Sequence, residues 1–535
     1  MFVGYVSNER YVAIPDVMLE FIGPKGSTST RSTASGTVYA DVEAGQTYDV
    51  VLYRQGYGSK RGNVTIDPAN PYHFRLLSDG LIGYMWPKCV AVGESSEFRV
   101  HGVEEYGLEL WRYGAEKKFI RRVGTFDEHG PRATMQISPN GDYTQTGIEW
   151  NKHGYHSKAL GQFQTAPDQS GLYYMHARGK SGDFFAFPWV VTPKKPTCKL
   201  AVLASDINWN AYNSFGGRSN YIHADRFPKT PTVNSRLELK RYTEKDHRTY
   251  DSDVYAPLSL DRPDPYQHIA EKEQLLDPIA GRQGCHMASA EWRLLGWMER
   301  NNIPYDFYSE TLFHFDKVPL EDYSTLLIST HPEYWSRHMY DTLKDWIWNK
   351  GGKLIYLGGN GLNCEVEFLD DHRIVYQNTN WDHHAPPKDA SGHEIESRFH
   401  NRYESEANLL GVVFTFAGIM TAAPYQVIDV SNWCFEGTGL KKGDQFGHNS
   451  QHQRVPGGAS GHETDKISPR FSPKTTKLLA QGLNPDKGGA DMIHYTTPSG
   501  GEVFSVGSIT WPSCVLVDEP VSKITANVIR RFTEG

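Results

Sequence analysis

Beginning at Cys198, short runs that are apolar throughout alternate with stretches of helical spacing, and few folds accept that order. "CKLAVLAS" is too short for a helix and has no polar face, the mark of a strand buried on both sides. "ASAEWRLLGWMERNN" follows with apolar residues at Ala290, Leu294, Trp297 and Met298, a helical period, and "IPYDFYS" and "STLLIST" return to strand. Ser336 can cap the next helix, whose inner face is Tyr340, Leu343 and Ile347. Gly351 and Gly352 end it, and "KLIYLGGNG" is a fourth strand. The order βαβαβ predicts a parallel sheet with right-handed crossovers. "PVSKITANVIRRFTEG" reads as a closing amphipathic helix.

Upstream the spacing is different. Val38, Ala40 and Val42, then Tyr48, Val50 and Leu52, alternate with period two between glycine turns, predicting a small β-sandwich module over 1–80. "SSEFRV", "GLELWRY", "GLYYMHARG" and "DFFAFPWVV" extend the pattern into a second, immunoglobulin-like β-sandwich over 81–195, and "TPKKPT" is a stiff linker. Residues 196–535 then form the α/β domain, interrupted by insertions at about 205–285 and about 359–470. Both insertions leave carboxyl ends of strands, the edge at which open α/β sheets bind ligands.

Composition excludes several classes of function. With 39% hydrophobic and 22% charged residues the chain is globular, and a net charge of −8 without a basic block gives nucleic acid no electrostatic footprint. The six cysteines stand singly, with no metal-binding or disulfide spacing. "MFVGYVSNERYVAIP" lacks a basic start and an apolar core, so no secretion signal, reduced thiols and a cytoplasmic location are expected. The most apolar segment, Leu409 to Ala423, is shorter than a membrane span and is expected to be buried.

Three polar stretches fall at the predicted strand ends: "NWNAYNSFGGRSNYIHAD", "HPEYW" at residues 331–335, and Asn360 in "GGNG". Tyr212 and Tyr221 compete with a packing role in a chain of 30 tyrosines, and Asn360 with a left-handed turn. His331 and Glu333 follow a buried strand directly, and a buried carboxylate has to be paired or bind a metal. In "SGHETDK", Glu463 can act as a base. "WDHHAPPKDASGHE" has metal-capable side chains but reads as a surface loop, and neither a nucleophile elbow nor a phosphate loop is present.

"NAYNSFGGRSNY", "DRP" at 261–263, "HPEYW" and "GGNG", in that order, resemble the N,N-dimethylformamidase large (catalytic) subunit family over roughly residues 198–535. The resemblance implies a glutamine-amidotransferase (flavodoxin-like) sheet and a mononuclear iron, expected to be ferric, held by two tyrosines and a glutamate. Carried over by motif, the metal ligands are Tyr212, Tyr221 and Glu333, with Tyr255 of "DVYAP" in reserve for Tyr221. His331, Asn360 and Glu463 become the catalytic groups. The implied reaction is hydrolysis of a small amide to a carboxylic acid and an amine. The expected assembly is a homo-oligomer, with or without a separate small subunit. A non-catalytic carbohydrate-binding or scaffold protein is the alternative from another class, and zinc in place of iron the alternative within the hydrolase reading.

Overall fold

A computed structural model describes residues 1–8, 12–76, 80–126, 162–213, 215, 219–220, 230–231, 233, 256–271, 286–378 and 385–534. The first of three buried cores lies between a three-stranded sheet (Thr37–Tyr39, Phe2–Ser7, Tyr72–Arg75) and a four-stranded one (Gly26–Arg31, Met18–Gly23, Thr47–Arg54, Tyr57–Thr65). Val38, Val50 and Leu52 sit inside it, as the period-two alternation requires. The second core lies between the sheet Phe163–Thr165, Ser95–His101, Ile82–Trp86 and the five-stranded sheet Lys117–Phe126, Tyr106–Tyr113, Gly171–Gly179, Phe184–Thr192, Cys89–Ala91.

The third core surrounds a nine-stranded sheet. Its elements in chain order are β1 (Leu200–Ala204), α1 (Asp206–Tyr212), α2 (Ala288–Arg300), β2 (Asp306–Ser309), β3 (Thr325–Thr330), α3 (Arg337–Trp348), β4 (Lys353–Gly358), β5 (Tyr425–Val427), β6 (Gln445–Phe446), β7 (Lys477–Gly482), β8 (Asp491–Thr496), β9 (Glu502–Ser505) and α4 (Glu519–Glu534). The strand order is β2-β1-β3-β4-β9-β8-β7-β5-β6. From β2 to β9 every pairing is parallel, with Thr330 beside Gly358 at the end of the β3–β4 ladder. These strands are almost wholly buried, which explains their unbroken apolar runs. Ser336 Oγ accepts from Met339 N at 3.2 Å and starts α3, whose buried face contains Tyr340, Leu343 and Ile347.

Two features depart from the sequence reading. Beyond β9 the sheet turns antiparallel and adds β8, β7, β5 and β6, strands whose spacing carries no clear period. Leu409–Ala423 is buried without a break only from Leu409 to Phe414; Ala423 is buried again, but Phe416 and Met420 between them are exposed, beyond the end of the strand Val413–Thr415. Among the described residues no helix is long and apolar enough to cross a membrane, and five cysteines are free.

Candidate active site

At the carboxyl ends of β3 and β4 the chain leaves the sheet through unusual backbone. Thr330 and Asn360 have φ of 62° and 51°, a left-handed conformation costly for a β-branched residue such as Thr330 and better tolerated by asparagine. Immediately after Thr330 come His331 and Glu333, 1% and 5% exposed. Tyr334–Trp335 form a short strand that pairs with Cys364–Phe368, so a second small sheet lies across the ends of the first. Thus Pro332 stands between two ionisable side chains that the chain reversal turns into one buried space.

Imidazole is the centre of that space. His331 Nδ1 lies 3.0 Å from the Gly359 carbonyl, which can only accept, so Nδ1 carries a proton. Nε2 faces Glu333 Oε2 at 2.9 Å, Glu463 Oε2 at 3.4 Å and Tyr212 Oη at 3.2 Å. A neutral ring would turn a lone pair towards two carboxylates, so the imidazolium is favoured. Burial by itself would lower the His331 pKa, but Glu333 and Glu463 outweigh it and push it up to about 9. For Glu333 burial acts upward, and the adjacent His331 overrides it and holds the carboxyl below its ordinary value.

Tyr212 comes from the last turn of α1, a helix buried along its whole length, and donates to Glu333 Oε2 at 3.3 Å. The "DRP" motif holds that helix in place. Arg262, fully buried, donates to the carbonyls of Asn210, Phe215 and Ser259 at 3.1, 2.8 and 2.8 Å and to Asn210 Oδ1 at 3.0 Å. Asn360 Nδ2 donates to Glu463 Oε2 at 2.9 Å. Asn360 Oδ1 is buried and has no hydrogen-bond partner among the described residues.

Five of the residues singled out in the sequence therefore converge: Tyr212, His331, Glu333, Asn360 and Glu463. Tyr221 and Tyr255 lie outside the described residues. Sequence reasoning passed over His286, whose ring centroid is 4.4 Å from Tyr212 and 5.4 Å from His331, and His462, 5.7 Å from His286. His286 stands two residues before α2, where no local pattern signals it; His462 adjoins Glu463 in "SGHETDK". Arg398, which lowers the Glu333 pKa, was likewise unsignalled.

Two other places compete poorly for the chemistry. Asp370, Asp371 and His372 could bring three ligand atoms within 4.8 Å of one another. However, His372 is already bonded to Asp371 and Arg373 to Asp370 in a partly exposed turn. A cavity of about 330 Å³, lined by Trp292, Arg293 and Gln451 among others, includes none of the five converging residues.

Residues 106–520 match the family described as N,N-dimethylformamidase beta subunit-like, C-terminal. The N,N-dimethylformamidase beta subunit of Paracoccus aminophilus is 25% identical, over 83% of this chain and 67% of its own length. That of an Alcaligenes species is 26% identical, over 81% and 68%. These relatives bear the name beta subunit, not large subunit. Among solved structures, a thua-like protein from Bacteroides uniformis matches 46% of this chain and 84% of its own at 12% identity and a TM-score of 0.27. A β-galactosidase from Rahnella sp. R3 matches 45% and 26% at 8% identity and 0.26. Likeness at that level carries no argument about fold or activity.

Proposed function

Since this chain belongs to the N,N-dimethylformamidase beta subunit-like family, we propose that it is an iron-dependent hydrolase of small amides and carries the catalytic site of its enzyme. One observation supports the reading above the others: a phenol, an imidazole and two carboxylates meet within 3.4 Å of one ring nitrogen at the ends of parallel strands. The parallel half of the sheet, from β2 to β9, is in keeping with an amidotransferase-like domain, preceded by two β-sandwich domains.

The donor set suits a hard ferric ion. Tyr212 Oη and Glu333 Oε2 are buried oxygens 3.3 Å apart, while His331 has both nitrogens engaged and is suited to orienting the ligands. Tyr221, or Tyr255 in its place, supplies the third oxygen in this reading. When bound, iron would polarise the amide carbonyl and make water more acidic. The remaining steps belong to the side chains. Glu463 takes a proton from the attacking water as its oxygen bonds to the carbonyl carbon, and returns it to the nitrogen as the C–N bond breaks. Asn360 Nδ2 fixes the carboxylate that does this, and its Oδ1 remains available to a substrate N–H or to water. His331 holds Glu333 and Glu463 at a fixed separation. The products are a carboxylic acid and an amine, and assembly with copies of itself or with a smaller subunit is part of the proposal.

Elemental analysis of purified protein, followed by a panel of formamides, acetamides, anilides and ureas, tests the reading. We expect about one iron per site, a visible phenolate-to-iron absorption band, and amine release from at least one amide. In Tyr212→Phe, iron content, colour and turnover should fall together. Stoichiometric iron with no amide cleaved, or full iron and activity in both Tyr212→Phe and Tyr221→Phe, rejects it.

A further inference from the structure

Asn360 is gripped at both ends by one extended segment. Its side-chain amide donates to Glu463, and its main-chain N–H donates to Asp465 Oδ1 at 2.8 Å. Glu463 directly precedes the short strand Thr464–Lys466 and Asp465 lies within it, and both reach the same loop. The other oxygen of Asp465 accepts from Tyr356 Oη at 2.7 Å, and Tyr356 Oη accepts from Gly361 N at 2.8 Å. Asp465 N donates in turn to the Gly507 carbonyl at 2.9 Å, tying the segment to the chain beyond β9. Asp465 is 1% exposed and Tyr356 fully buried. The loop is also pressed close: a Cβ on Gly359 would stand 2.3 Å from the Glu463 carbonyl oxygen, so only glycine fits there.

We propose that Asp465 is a positioning residue, which locks the 359–361 loop with Asn360 in its left-handed conformation and thereby sets the direction of the Asn360 amide and of the Glu463 carboxylate. The proposal rests on the amide-hydrolase reading for its catalytic consequence, though not for its geometry. Two accepting oxygens are needed because two donors, Asn360 N–H and Tyr356 O–H, meet them; burial pushes the Asp465 pKa up to about 7, and these two bonds act against it. An amide at 465 has one oxygen and must turn its NH₂ towards one of those donors. Tyr356 cannot readily reverse, since its oxygen already takes the Gly361 N–H.

Asp465→Asn in the full-length protein is the test. Outer groups that orient catalytic ones typically contribute about 10–100-fold, so kcat should fall by that factor, with KM within about twofold and iron content unchanged. Hydrogen exchange of the Asn360 and Gly361 amides should accelerate by at least about tenfold, because the bond protecting Asn360 N–H is lost. In a cycle with Asn360→Ala the two kcat losses should fail to add, as expected of groups acting through one another. Additive losses, a change confined to KM, or unchanged amide exchange each overturn the proposal. Should Asp465→Asn not fold, Tyr356→Phe removes both bonds of the tyrosine oxygen, to Asp465 and from Gly361, while keeping the ring and the Asp465–Asn360 N–H bond, and the same pattern with a smaller kcat loss is expected. If the wild-type protein cleaves no amide, the hydrolase reading fails separately: accelerated exchange still supports the clamp and unchanged exchange still rejects it.

Discussion

Two buried clusters in this molecule each set one cation against two carboxylates, and only one of them resembles a site. At the seam between the second sandwich and the central sheet, Arg99 meets Glu97 Oε2 at 2.7 Å and Asp261 Oδ1 at 2.6 Å, and Tyr84 donates to Asp261 at 2.7 Å. Next to β3, His331 meets Glu333 and Glu463, with Tyr212 beside them. The guanidinium has five N–H donors in a fixed fork and can serve several acceptors at once. The imidazolium has one N–H left after Gly359 takes the other, divided among two carboxylates and a phenol. The backbone differs as well. Arg99 lies within a regular antiparallel strand, whereas the site follows or includes Thr330, Asn360 and His462, all at positive φ. Buried charge alone is therefore a poor sign of chemistry; acceptors outnumbering donors on strained backbone are a better one.

Substitutions in the two clusters should have opposite consequences. Glu333→Gln removes a proposed ligand oxygen. Turnover should drop by at least about 100-fold, beyond the usual range for groups that only orient ligands, and metal content should drop with it, as read by elemental analysis and amine release. A variant with full iron and full turnover would place the site elsewhere.

Arg99→Met leaves Glu97 and Asp261 without their cation. Breaking a buried pair costs about 3–5 kcal/mol, so denaturant unfolding should begin markedly earlier, while iron per folded molecule and kcat stay at the wild-type level. A loss of iron without a loss of stability would mean that the Asp261–Arg262 link passes the change on to α1.

The smallest effect concerns Glu291, which sits behind α1 and accepts from Ser205 N at 2.9 Å and Trp209 Nε1 at 3.2 Å. Burial pushes its pKa up to about 8 against an ordinary value near 4.5. Between those values the folded protein holds a proton that the unfolded chain has released, so stability falls as pH rises from about 4.5 to about 8. Glu291→Gln keeps the accepting oxygen and cannot ionise. Its thermal midpoint should change less over that interval and exceed that of the wild type at pH 8. Parallel pH profiles for the two proteins would show that Glu291 is ionised in the fold.

Local elements follow from the pattern of neighbouring residues. β1 to β4, α2 and α3 were legible because continuous apolar runs and helical periods are imposed by what a few neighbouring residues must bury, and Ser336 announced its cap. The same pattern also places His331, Glu333 and Asn360 at strand ends, since parallel pairing brings successive strand ends to one edge. Tertiary structure decided the rest. Glu463 and Asp465 lie about a hundred residues beyond Asn360 in the chain, and they reach it only because a strand pairing in the second insertion turns them towards the loop. Tyr356 lies in an apolar strand run and Arg262 in "DRP", and neither local pattern specifies the hydrogen bonds that give each its role. Periodicity records which face of an element is buried. Which distant polar groups meet in that burial depends on strand order and loop path, and no window of neighbouring residues contains them.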